Sequence, residues 1–575
     1  MRPICLIVIL FSAFFSAEAT THFDDAQSQD WTFQGDGKGD REDVGGDRGI
    51  VLSVEGNGKN AGSWFSPDIP FEPGKHYRFR FAARRGEDAW GGLIVSGPTF
   101  ANHDFQGTYE WRSYSFVFTV PDAVHRAPVR VGQWHLDGTA CFDEMSLSEV
   151  EPVYKTRNGL QLGNGEKITG KEYTASHEMS AETSNSCRFL DSFTASFNSN
   201  RWGFSEDTFV TYAHVVPGVW MESARLELGV NYYQRGRLKV VACAEDREIL
   251  LGYVGEKKPV SFDLPTELFP TERVDIRLVG EGDPCSLQVD RYVFKAELSD
   301  TPGNLSGSTD FLEVKERSPG FPVEIVDLGD RVPGAQNDIV IHTTKSSDEE
   351  VTVTVEIEKE NEEFRHRFRI QAKEKSRYRL PYELFGAGPY TLSIKVHSDE
   401  WGDFVAFSEF DVSYLHDSSY GYRLSSDDMT DIWWCGSTRK VSRSRPVPED
   451  PGRIIEIGAA RGEYEPFQIV IRPGRDGQRV SVHVSDLENP DGGRIDASNI
   501  SVRHVEYVYV HHETDSIGTE AYWPDPLPPY KGPFTISAGR NYPLWITVFV
   551  PRGTAAGEYR GTVSVMLDGK EHRVP

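Results

Sequence analysis

Cysteine is scarce in this chain, with six in 575 residues. None forms a Cys-x-x-Cys pair, which excludes the common zinc and dithiol redox motifs. Beyond the first twenty residues the set is Cys141, Cys187, Cys243, Cys285 and Cys435, odd in number and widely spaced. Cys187, Cys243 and Cys285 share one segment, so one pair there is a candidate bridge. Buried free thiols, which pack as small hydrophobes, are the simpler expectation. Sustained helical periodicity is also missing. Short helical turns are expected only near Leu264–Leu268 and Ser426–Trp433. No stretch alternates strand with helix as a catalytic (β/α) barrel must. There is no P-loop, no Gly-x-Ser-x-Gly and no His-Glu-x-x-His. These absences leave no catalytic residue to nominate.

Positive charge is in short supply as well. The net charge is −27, so most of the surface repels nucleic acid and anionic lipid. Neutral or cation-bridged partners suit such a chain. No apolar run is long enough to span a bilayer. The one short apolar run is Ile4 to Phe15, preceded by Arg2 and followed by Ala17-Glu18-Ala19. That pattern predicts a signal peptide over 1–19 and a secreted or periplasmic mature chain, with no membrane partner.

What is abundant is strand signal. Tyr77, Phe79 and Phe81 alternate with Arg78 and Arg80; Val351, Val353, Val355 and Ile357 alternate with polar residues; so do Tyr390, Leu392, Ile394 and Val396. Period-two alternation buries one face and wets the other. Turn residues recur about every ten positions, as in β-sandwiches. The expected fold class is all-β, with several tandem β-sandwiches and no catalytic barrel. Composition shifts divide it into 20–152, 153–312, 313–415 and 416–575. The third segment, with few aromatics and hairpin-like runs, reads as an immunoglobulin-like spacer.

The first segment carries Trp31, Trp64, Tyr77, Phe79, Trp90, Trp111, Tyr114 and Trp134, and closes on Phe142-Asp143-Glu144. This series resembles the galactose-binding-like jelly roll of many carbohydrate-binding modules. A sugar offers an apolar C–H face and a rim of hydroxyls, so its site needs exposed aromatics with polar neighbours. The candidates are Trp90, Tyr109, Gln133, Trp134 and His135, with Trp202 in the second segment. Trp64 and Trp111 read as core. Adjacent Asp143 and Glu144 lie on a predicted strand, where neighbours face opposite sides, so only one of them faces a ligand. The resemblance implies a structural calcium between an acid of this last strand, Asp143, and Asp24 or Asp25. Plain solvated acids are the alternative.

The fourth segment contains AARGEYEPFQIVIRP, AYWPDPLPPY, NYPLWITVFVP and AAGEYRGTVSV, in that order. Together they resemble the N-terminal β-sandwich of glycoside hydrolase family 123. The chain closes on KEHRVP, which reads as a strand, and the resemblance implies a catalytic barrel C-terminal to it. The prolines of AYWPDPLPPY make a stiff aromatic loop. In such a protein Trp523, Asp525 and Tyr530 are candidates for the interface with the barrel; a self-contained surface loop is the alternative. Arg461 and Glu463 are expected to pair. His504, His511 and His512 make a poor metal set, because adjacent His511 and His512 diverge. The expected role is carbohydrate binding and the positioning of a catalytic barrel. A stand-alone glycan-binding or adhesive protein is the alternative.

Overall fold

The computed structural model describes residues 30–575 except 47, 158, 180–182, 246, 334–335, 360–361, 385, 428–429, 449 and 511–520. The described chain is all-β, with three short 3-10 turns and no α-helix. The segment 1–19, Asp24, Asp25, His511 and His512 lie outside the described residues.

The alternating runs become strands whose apolar residues are buried. Phe79 and Phe81 on His76–Arg85 meet Phe116 and Tyr114 on the paired strand Arg112–Thr119. Val351, Val353, Val355 and Ile357 are all buried on Glu350–Lys359. Large apolar clusters gather at Trp31–Leu147, Leu160–Leu298, Leu312–Val412 (with Val153) and Ile432–Val574.

These cores are joined by shared strands. Asp137–Arg157 pairs with Ile50–Asn57 and His76–Arg85 in the first sandwich and, further along, with Thr309–Arg317 of the third. Ala101–Phe105 pairs in parallel with Ser196–Asn198, tying the first sandwich to the second. At that junction Asn185 receives the Thr119 N–H on its Oδ1 (2.8 Å) and donates back to the Thr119 carbonyl (3.0 Å). Two long strands, Met221–Ala244 and Arg273–Leu298, form the spine of the second sandwich.

One expected helical turn is present, as the 3-10 turn Thr266–Leu268. The other is not: Ser426–Trp433 falls in the hairpin of Tyr422–Asp427 and Thr430–Gly436. Burial of Ile432, Trp433 and Cys435 on that hairpin outweighs the weak local helical signal. The five described cysteines are unpaired.

Three imidazoles, His103, His177 and His214, are buried in the first two sandwiches, and His76 is half-buried between them. Desolvation lowers His76 to about 4, His103 to about 4 and His177 to about 3, and takes His214 well down. Each is neutral in the folded chain and takes a proton once unfolded below pH 6.5. Their contribution to stability is therefore complete above pH 6.5 and is lost as pH falls toward 4. Thermal melts are expected to show a level midpoint from pH 7.5 to about 6.5 and a falling one from there to pH 4.5 for these sandwiches; a profile flat down to pH 4.5 contradicts this account.

Candidate functional site

The exposed aromatics of the first sandwich come together at one end of it. Trp90 is 66% exposed, Tyr109 57% and Trp134 52%, values that belong to a contact surface and not to a core. Backbone bonds bring their loops side by side. Trp90 and Asp137 exchange both of their N–H···O bonds, at 2.9 and 3.0 Å. The Tyr109 hydroxyl donates to the Ala89 carbonyl at 3.3 Å. Trp134 ends the strand Val129–Trp134, and the His135 ring stacks on it at 4.4 Å and 21°. Gly92 (φ +54) lies against the backbone of His135 and Leu136, where a Cβ would sit 2.2 Å from the Leu136 nitrogen. Only glycine permits that approach, and it seats the Trp90 loop against the Trp134–His135 turn.

Gln133 does a different job from the one expected. It is fully buried; its Oε1 accepts from Leu136 N at 2.9 Å and its Nε2 donates to Asn60 Oδ1 at 3.2 Å. It shapes the turn that presents Trp134 and His135 and is not itself a surface contact. The polar rim the sequence reading missed is Asn57, Asn60 and Asp137. Asn60 accepts the His135 N–H through its carbonyl at 2.9 Å. The turn string NGKN (57–60) was the available signal.

Trp202 belongs to the core. It is 0% exposed, packs edge-on against Phe193 and Phe197 (both 5.1 Å), and donates to the Tyr212 hydroxyl at 2.7 Å. It has no face to offer a sugar. Trp64 is buried as expected, while Trp111 is only half-buried and carries Arg48 over its ring at 4.4 Å.

Arg48 also decides the Asp143–Glu144 question. Its Nη1 lies 2.8 Å from Asp143 Oδ2 and 2.9 Å from Glu144 Oε1. Strict alternation forbids this, but the strand register slips between Asp143 and Ser146, and Glu144 takes φ +53. A β-bulge re-aims a side chain in this way. The buried Asp143 thus faces a guanidinium. A calcium ion at that carboxylate would meet the like charge of Arg48, so the described residues do not fit the calcium site that the resemblance implies. Among the described residues no group of three or more His, Cys, Asp or Glu is arranged to hold a metal.

In the fourth sandwich the proline-rich stretch is tied into its own sheet. Ala521–Pro524 pairs with Tyr507–Val510. Further along, His504 N donates to Pro528 O, Glu506 N to Pro526 O and Tyr530 N to Val502 O. The Tyr530 hydroxyl accepts from Val482 N at 3.0 Å, and its ring packs on the sandwich core. Trp523 is half-buried, and Asp525 is exposed with Lys440 Nζ at 3.7 Å. The stretch is bonded into its own sheet along Ala521–Pro524, and Tyr530 is held on the sandwich core. Glu463 accepts from Ala460 N at 2.5 Å instead of pairing with Arg461.

An open apolar groove lies elsewhere on this sandwich. Its volume is about 830 Å³, and its lining includes Ile454, Ile457, Arg461, Phe467, Val548 and Tyr559. Ala459–Arg461 and the Ala-Gly-x-Tyr-x-Gly element Ala556–Gly561 both line it, although they are far apart in the chain.

Residues 436–567 match the glycoside hydrolase 123 N-terminal domain. No curated protein matches the chain. Among solved structures, a family 123 glycoside hydrolase from Clostridium perfringens is 22% identical, with 20% of each chain covered and a TM-score of 0.18. This chain therefore spans about a fifth of that protein's length. A CBM22 tandem domain from Paenibacillus barcinonensis Xyn10C is 10% identical, covering 50% of this chain and 99% of its own, with a TM-score of 0.21. A putative membrane anchored protein from Corynebacterium diphtheriae is 7% identical over 88% of this chain and 94% of its own, with a TM-score of 0.17.

Proposed function

We propose that this is an exported, non-catalytic carbohydrate-binding chain. It holds glycan at the aromatic end of its first sandwich, and its fourth sandwich serves as the support for a glycoside hydrolase barrel. The observation that carries the binding half is the convergence of exposed Trp90, Tyr109, Trp134 and His135 beside the polar groups of Asn57, Asn60 and Asp137. Aromatic faces stack on pyranose C–H groups while the Asn57 amide and the Asp137 carboxylate take the hydroxyls, the Asn60 amide being held within the turn by Asn57 N, Gln133 Nε2 and Asp36 O. The match of residues 436–567 supports the other half, and the apolar groove at Ile454 and Ile457, not the proline-rich strand, is the surface that suits a packed neighbour.

A glycan array followed by titration calorimetry tests this. Trp90→Ala and Trp134→Ala are each expected to weaken binding at least tenfold, about 1.4 kcal/mol, with an unchanged melting midpoint because both side chains are exposed. Unchanged affinity in both variants removes the site. The 575-residue chain is expected to release no sugar from N-acetylhexosaminides; measurable hydrolysis overturns the non-catalytic reading.

A further inference from the structure

The third sandwich carries a patch whose charge opposes that of the chain. Phe364–Arg379 reads FRHRFRIQAKEKSRYR, with seven Lys or Arg and one acid in sixteen residues, in a chain of net charge −27. The structure concentrates these cations on one rim. The strand Glu362–Gln371 ends one sheet and Ser376–Tyr382 ends the sheet opposite, so the hairpin between them closes one side of the sandwich. Arg365, Arg367 and Arg369 alternate along the first strand and share one face, with successive arginines about 7 Å apart. Lys373, Lys375, Arg377 and Arg379 continue the series through the turn into the second strand, and all seven are exposed.

Some of these cations are engaged. Arg365 meets Glu356 at 2.6 Å and Glu363 of its own strand at 3.5 Å, Arg369 is 3.8 Å from Glu350 and Arg379 is 3.6 Å from Asp338. The exposed pairs to Glu363 and Glu350 are weak and exchange readily; Glu356 is buried and also held by Lys395, so Arg365 is committed to it. Among the described residues Arg367, Lys373, Lys375 and Arg377 have no ion pair. Charge on an edge strand also prevents sheet-to-sheet aggregation, but either sign serves that purpose, and mixed signs would match the rest of this surface. A single-signed row instead suits a linear polyanion. Arginine binds carboxylate and sulfate oxygens in a two-pronged geometry, and hydroxyls of Thr352 and Thr354 stand beside Arg369 and Arg367 on the paired strand.

We propose that this rim binds a linear acidic polysaccharide, a second glycan contact separate from the aromatic end of the first sandwich. Native electrophoresis through gels containing polygalacturonate, dextran sulfate or neutral dextran tests it. The chain is expected to be retarded by an acidic polymer and not by dextran, and less so as salt rises. Retardation by polygalacturonate alone assigns carboxylate; by dextran sulfate alone, sulfate. The variant R367S/K373S/K375S/R377S is expected to lose at least tenfold in apparent affinity with its melting midpoint unchanged, whereas Trp90→Ala keeps it. No retardation by either acidic polymer overturns the proposal. So does full retention by the fourfold variant, or loss in Trp90→Ala. Equal retardation by single-stranded DNA overturns the assignment to polysaccharide.

Discussion

Arg188→Met is expected to destabilise the second sandwich by about 3–5 kcal/mol, the usual cost of leaving one member of a buried pair alone. The Glu166 carboxylate is completely buried and receives Arg188 Nε and Nη2 at 2.6 Å each. It also accepts from the Tyr173 hydroxyl at 2.6 Å and from Gly163 N at 2.7 Å. Burial alone would lower the Arg188 pKa, but the bonds and charge of Glu166 outweigh that and raise it. Without the guanidinium, the Glu166 carboxylate is left in a dry core with only the Tyr173 and Gly163 donors. Denaturant unfolding read by hydrogen exchange within 160–305 checks this. Glu166→Gln with Arg188→Met, which removes both charges, is expected to recover part of the loss; a loss below about 1 kcal/mol in the single variant contradicts the account.

Trp202→Ala is expected to cost a similar amount, about 3–5 kcal/mol, through the cavity left between Phe193 and Phe197. It also deletes the N–H that meets the Tyr212 hydroxyl, although His177 Nδ1 at 2.8 Å remains as that hydroxyl's partner. Glycan affinity, measured at a temperature where the chain is folded, is expected to be unchanged. This contrast with Trp90→Ala separates a packing tryptophan from a binding one. An affinity loss without a stability loss would put Trp202 on the surface, against its complete burial.

Those two tryptophans mark the limit of what the sequence discloses. Period-two alternation at Tyr77–Phe81 and Val351–Ile357 is a local property, and it made the all-β class legible. Whether Trp90 or Trp202 is exposed depends on which strands close over each, and local pattern does not contain that. Trp90 was readable because glycines surround it in a loop; Trp202 also sits in a polar stretch, FNSNRWGF, yet lies under the long paired strands. The Asp143–Glu144 geometry was hidden for another reason. A one-position register slip undoes the alternation that the reading assumed, and the partner, Arg48, is remote in the chain. The proline content of 521–530 did not give its direction, because pairing to Val502–Val510 is a long-range choice. The basic run Arg365–Arg379 passed unremarked within a segment read only as a spacer. Its placement on two edge strands is not a local property.

The strand Asp137–Arg157 begins beside Trp90 and ends in the third sandwich, with no coil between. In mechanical terms it is a tie-rod. A pull exerted on the first sandwich passes along covalent backbone into the third, and the hydrogen bonds flanking the rod are loaded together in shear, not peeled one at a time. Such a rod transmits load between the two sandwiches with little stretch.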